Sequence, residues 1–248
     1  MWVDCNVHVE GWSPAQRLTW AARAQAAQIE TVIWSGTDPL QWELPNPEGF
    51  VRAYGLHPLW VREETLTADL TQLESRVRAR PSAVGEIGLD RRAPAPMAVQ
   101  VRALSDQLCL AARHQCAVIL HVVRAHDLVF PLLVQHAVSR FMVHGFSGSP
   151  ALARRYVDLG GVLGIGGLLS RQSPRLLETV RQLPLNALVL ESDAPDLPPK
   201  GASVSDPTDL PATAALIAQV KGCDVQEVAQ VTRATARRLF GDLLAQGD

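Results

Sequence analysis

The feature that most constrains this chain is a run of eight short apolar segments, at 2–7, 31–34, 51–56, 83–89, 117–123, 141–145, 162–165 and 187–190, separated by stretches of helical periodicity. The helical stretches are 14–29, 68–80, 96–115, 125–138, 150–159 and 174–183; the second interval, around 44–49, is Pro-rich and promises little helix. Strands that alternate with helices pair in parallel, because a parallel neighbour needs a crossover to return to the same end of the sheet. Eight such units in about 200 residues predict a (β/α)8 TIM barrel, with an open doubly wound sheet as the alternative architecture. After the eighth strand, Asp206-Pro207 and then Gly222 with Asp224 and Glu227 punctuate two further helices, so we expect a single domain over 1–248 with extra C-terminal helices.

Composition bounds the function. Apolar residues are 47% and charged residues 19% of the chain, enough for a sizeable core. The longest apolar runs, 118–123 and 188–190, are far too short to span a bilayer. A net charge of −2 argues against a broad nucleic-acid-binding face while allowing a local basic rim. Cys5, Cys109, Cys116 and Cys223 form no CxxC pair and read as reduced thiols. No basic segment followed by an apolar one opens the chain, so the expected setting is cytoplasmic, with no membrane and no protein partner implied.

The unusual side chains fall at strand ends. His8 closes the first strand, His57 follows the third, Glu86 lies in the fourth, His121 in the fifth, His144 in the sixth, and Asp193 just past the eighth. In a parallel barrel these positions converge on one face, where barrel enzymes build their sites. Imidazole and carboxylate together suit a borderline or hard divalent ion, and a carboxylate can bridge two ions. Alternation along the first strand places Asn6 and His8 inside the barrel, with Cys5 and Val7 toward the helices.

These residues resemble the TatD-type metal-dependent hydrolases, a branch of the amidohydrolase-like barrels. The resemblance runs from Asp4 to Phe240 through Asp4-Cys5-Asn6-Val7-His8 (D-x-H-x-H in the family), Gly55-Leu56-His57-Pro58, Gly85-Glu86-Ile87-Gly88-Leu89-Asp90, Leu120-His121 with Arg124, His144-Gly145-Phe146-Ser147-Gly148, and Leu190-Glu191-Ser192-Asp193-Ala194-Pro195. It implies a hydrolase that uses one or two divalent ions (Mg, Mn or Zn) to cleave phosphodiester bonds of nucleic acid. Carried over by position, Glu86 would be shared between two metal positions, His8 and Asp193 completing the first and His121 and His144 the second. Asp193 and Glu86 would be the catalytic carboxylates, Asp193 orienting or deprotonating the attacking water. Arg124 is the candidate phosphate ligand, and His57 meets a phosphate or stiffens the turn before Pro58.

The chain departs from the pattern at Asn6, where the family has histidine, leaving the first position with a neutral amide in place of an imidazole. Thr235 and Val123 are smaller departures. Two alternatives follow: hydrolysis of a small amide, ester or lactone on the same barrel, or a catalytically impaired binding barrel. The glycines at 164, 166 and 167 lack a phosphate-loop pattern and read as tight packing, and Arg91-Arg92 as a solvated pair that can edge the cleft.

Overall fold

The computed structural model describes residues 1–9, 11–46, 49–80, 82–241 and 243–244. Eight strands lie in one sheet in sequence order, β1 (Trp2–Val7), β2 (Ile29–Gly36), β3 (Phe50–Tyr54), β4 (Ala83–Asp90), β5 (Val118–Val123), β6 (Phe141–Val143), β7 (Val162–Ile165) and β8 (Leu188–Leu190), and every neighbouring pair is parallel. β8 meets β1 through the Val7–Ala194 bridge, with His8 N–H donating to Ala194 O (2.7 Å) and Asp193 N–H to Asn6 O (3.0 Å). The barrel therefore closes right beside the residues expected at its active end.

The crossovers are α1 (Pro14–Ala26), α2 (Leu66–Ala79), α3 (Met97–Arg113), α4 (His126–Gln135), α5 (Pro150–Asp158) and α6 (Pro174–Gln182). Their starts follow the sequence: Ser13 and Gln16 form a reciprocal capping box on α1, and Ser149 caps α5 ahead of Pro150. Three ends fall short of the predicted ranges because Gln28, Gln115 and Ala137 turn the chain through left-handed backbone, at φ 60°, 54° and 51°. Non-glycine residues in that conformation carry no sequence signal. Among the described residues only a 3-10 turn, Gln41–Glu43, separates β2 from β3; positions 47 and 48 of the Pro-rich stretch lie outside them.

Two apolar layers result. Val3, Cys5, Ile33, Val51, Ala53, Ala83, Ile119, Met142, Val162 and Val189 pack together inside the barrel, whereas Val32, Trp34, Val84, Leu120, Leu163 and Leu188 join the helices outside. Cys5 thus faces inward and not toward the helices as alternation predicted. The reason is a register irregularity between Asp4 and Val7, which lets Cys5 and Asn6 both turn in while Val7 stays out. A second irregularity, between Val84 and Ile87, does the same for Glu86.

Past β8, Asp206 caps a short 3-10 turn into α7 (Leu210–Lys221), Gly222 turns the chain at φ 67°, and Asp224 caps α8 (Val225–Phe240). Ala236, Leu239 and Phe240 of α8 belong to the inner layer, so the last helix plugs the end of the barrel opposite the site. Arg233 and Arg237 pair with Glu30 at the start of β2, and Arg140 before β6 donates to Leu239 O at 2.8 and 3.1 Å.

Candidate active site

Glu86 lies at the floor of the open end, 2% exposed. His8 Nε2 lies 2.8 Å from its Oε1, while His144 Nε2, His121 Nδ1 and His57 Nε2 lie 3.2, 3.6 and 3.7 Å from its Oε2. Asp193 Oδ1 is 3.4 Å from His8 Nε2 and 3.5 Å from His144 Nδ1. All six residues singled out at strand ends therefore meet in one cluster. His8 and His144 stand one residue beyond β1 and β6, so the placement of His144 within the sixth strand is corrected: β6 stops at Val143, and His144 N–H still bonds Leu120 O at 3.0 Å.

Hydrogen bonds at the far side of each ring decide what it offers to the centre. His8 Nδ1 faces the Ser35 carbonyl (3.3 Å), which can only accept, so in the neutral ring Nε2 keeps the lone pair. His121 Nε2 faces Asp90 Oδ2 (3.1 Å), which leaves the lone pair on Nδ1. Asp90 is itself fixed by Arg92, whose N–H, Nε and Nη2 donate at 2.7, 3.1 and 3.0 Å. His57 is the opposite case. Its Nδ1 accepts the Leu59 N–H (3.1 Å), so Nε2 carries the proton and points a donor at the centre.

Asn6 also turns a donor inward. Its Nδ2 bridges Glu86 Oε1 (2.6 Å) and Asp193 Oδ1 (2.8 Å), while its Oδ1 accepts from Ser35 Oγ (2.6 Å) and faces away. The amide thus supplies hydrogen bonds to the two carboxylates and no ligand oxygen to the centre.

The electrostatics are those of two carboxylates facing two imidazoles that they hold protonated. Burial alone would lower His8 and His144, but the Glu86 and Asp193 carboxylates hold His8 well above its ordinary value and His144 at about 10. Burial, reinforced by the neighbouring His121, drops His57 to about 3 and keeps it neutral. Burial opposes ionisation of Asp90, yet the bonds from His121 and Arg92 hold it below the usual carboxylate range. Behind the cluster, burial raises Asp4 to about 7 and Glu191 to about 8. Asp4 Oδ1 stitches β1 to the end of β8 by accepting from Ser192 N (2.9 Å), and Glu191 accepts from Gly145 N (2.5 Å). A Cβ on Gly164 would stand 2.5 Å from the Glu191 carboxylate, which accounts for the glycine-rich end of β7 as packing.

The donor set fits a divalent cation. His121 Nδ1 and His144 Nε2 stand only 2.9 Å apart beside Glu86, a spacing that a proton or a cation must bridge. Ligand atoms around an ion at about 2.1 Å lie roughly 3 to 3.5 Å from one another. Two sets of histidine and carboxylate atoms lie mutually within 4.8 Å and share Glu86: His8–Glu86–Asp193, all able to ligate, and His57–Glu86–His121, in which the His57 Nε2–H stands as a donor and not a ligand.

Above the cluster opens a cleft of about 1190 Å³ lined by Arg92, Arg124 and Arg175 and by Leu59, Trp60 and Phe146. Arg124 stands one residue past β5, exposed, in left-handed backbone (φ 57°), where the sequence placed it. Arg91 pairs with Asp127 (3.2 Å), whereas Arg92 lines the cleft. The sequence reading gave no role to Asp90, Ser35 or Trp60. Asp90 had a signal, since it follows Glu86 by four residues on a strand whose alternate positions share a face; Ser35 and Trp60 had none.

A barrel with this histidine–carboxylate centre at its C-terminal end defines a metal-dependent hydrolase class, and the comparisons narrow it. The family profile described as "TatD related DNase" matches residues 3–241. The "3'-5' ssDNA/RNA exonuclease TatD" of Klebsiella pneumoniae is 36% identical over 89% of this chain and 90% of its own length. An "uncharacterized metal-dependent hydrolase" of Haemophilus influenzae is 38% identical over 61% of this chain, and the match spans 62% of that relative. The crystal structure of YjjV, the TatD homologue of Escherichia coli K12, superposes with a TM-score of 0.88 at 32% identity, covering 96% of this chain and 97% of that one. The chain belongs to the TatD-related DNase family.

Proposed function

We propose that this protein is a divalent-metal-dependent phosphodiesterase acting on nucleic acid, with the whole chain as one catalytic unit. The observation that carries it is the buried cluster of Glu86, Asp193 and converging imidazoles at the floor of a cleft edged by Arg92, Arg124 and Arg175. The named activity of the Klebsiella relative supports the same substrate class.

The position formed by Glu86, His121 and His144 would hold the principal ion, with His8 and Asp193 beside Glu86 offering a weaker second one. Asn6 favours one dominant ion, because its amide presents N–H groups to Glu86 and Asp193 where an imidazole lone pair would otherwise face the centre. Manganese, magnesium and zinc all suit this mixed nitrogen and oxygen set. A bound divalent ion supplies Lewis-acid polarisation of a phosphoryl oxygen and lowers the pKa of water.

The protein's own groups do the rest. Asp193, ionised and within reach of the centre, accepts the proton of the attacking water. His57 Nε2–H, held neutral, donates to a phosphate oxygen. Arg124 takes that phosphate from the cleft wall, where a guanidinium can bind it bidentately. Four cysteines without a disulfide agree with a cytoplasmic setting, and no helix among the described residues is long and apolar enough to cross a membrane.

The test is hydrolysis of single-stranded DNA and of a chromogenic phosphodiester as each metal is titrated into stripped protein. Activity should require added metal and vanish in Asp193→Ala. Metal-replete protein that cleaves neither substrate yet turns over lactones or amides would replace this reading with the small-molecule one.

A further inference from the structure

Of the large apolar side chains left exposed among the described residues, only Leu59 and Trp60 line the cleft; they are 47% and 41% exposed. Their backbone is held by hydrogen bonds. Trp60 N–H closes a turn onto His57 O (2.8 Å), Leu59 N–H binds His57 Nδ1 (3.1 Å), and Val61 on the far side is buried with Leu56 and Leu66. Leu56 is clamped in turn by Gln107, whose amide accepts its N–H (2.7 Å) and donates to its carbonyl (3.2 Å). The indole is thus one tight turn, Cα to Cα under about 7 Å, from the ring whose Nε2 stands 3.7 Å from Glu86.

An indole held half in water by an ordered turn, at the edge of a charged cleft, is a surface that something covers. The cover must be flat and apolar on one side and must carry negative charge nearby, because Arg124 and Arg175 line the same cleft. A nucleobase joined to a phosphodiester has both properties. Bases in a duplex already stack on their neighbours, so an open π face belongs to an unpaired nucleotide.

We propose that Trp60 is the base platform of this site: the base flanking the scissile phosphate of an unpaired strand stacks on its indole. The proposal rests on the phosphodiesterase reading and adds the subsite. Base–aromatic stacking of about 1 to 3 kcal/mol corresponds to a roughly 5- to 150-fold change in affinity.

The test is binding, at low salt, of the purified protein to cleavage-resistant phosphorothioate oligothymidylate and to the same backbone with abasic residues. Trp60→Ala should weaken binding of the thymine-bearing strand by about 5-fold or more, with little change for the abasic strand, and Trp60→Phe should restore most of the loss. Equal losses on both strands, or none on either, overturn the platform while leaving the hydrolase intact. Wild-type protein that binds neither strand overturns the nucleic-acid reading and the platform together.

Discussion

Replacing Asp90 with asparagine should cost the protein most of its metal affinity although Asp90 touches no metal position itself. Asp90 is 1% exposed and divides its oxygens: Oδ1 accepts the Arg92 backbone N–H (2.7 Å) and Nε (3.1 Å), and Oδ2 accepts from His121 Nε2 (3.1 Å) and Arg92 Nη2 (3.0 Å). An asparagine has one oxygen for these two duties. The backbone donor cannot turn away, so the amide oxygen stays with it and the NH2 faces His121. Two donors cannot share that contact, and His121 responds by moving its proton to Nδ1, the nitrogen that would ligate. Loss of an outer partner of a ligating histidine lowers metal affinity about 10- to 100-fold, or roughly 1.4 to 2.7 kcal/mol. Calorimetric titration of Mn2+ or Zn2+ into stripped protein reads the affinity, and long-range 15N NMR of the imidazoles reads the tautomer. Arg92→Ala is the control, since it removes the guanidinium but leaves the backbone N–H on Oδ1 and His121 on Oδ2, and it should cost much less affinity than Asp90→Asn. If Asp90→Asn binds metal like the wild type while His121 keeps its proton on Nε2, the reasoning is wrong.

Three further outcomes are expected. Asn6→His should tighten binding of a second ion beside His8 and Asp193 and raise hydrolysis at limiting metal, a gap that saturating metal narrows; a variant that gains an ion and no turnover would instead favour an impaired barrel. Glu30→Gln should lower the melting temperature near neutral pH, because Arg233 and Arg237 overcome the cost of burying Glu30 and hold its pKa below 4.5. That stabilisation is present above the unfolded carboxylate pKa and is lost as pH falls through the lower folded value, so the two proteins should converge in melting temperature in acid. Gly88→Ala should destabilise by about 1 to 3 kcal/mol or more in denaturant titrations, since its Cβ would stand 1.7 Å from the His121 carbonyl and force β5 away.

The sequence by itself determined the architecture and which side chains meet at the open end of the barrel. Apolar runs alternating with helical stretches leave little but parallel βαβ units, and a parallel barrel brings the ends of all its strands to one face, so His8, His57, Glu86, His121, His144 and Asp193 could be gathered from spacing and motif. What spacing could not supply was the direction each group presents. Alternation counted back from His8 sends Cys5 outward, yet Cys5 lies inside with Val3, and an irregularity in β1 lets Asn6 turn in beside it, against Glu86 and Asp193. Asparagine in the motif reads as a neutral ligand oxygen; the Ser35 hydroxyl, reached only when β2 pairs with β1, takes that oxygen and leaves the N–H groups for the carboxylates. The same holds for the rings, because the proton on each imidazole is decided by what lies at its other nitrogen: a carbonyl for His8, a carboxylate for His121, a backbone N–H for His57. Those partners come from other elements or from the exact fold of a turn, and hydrogen-bond direction is a property of the assembled site that a one-dimensional pattern does not encode.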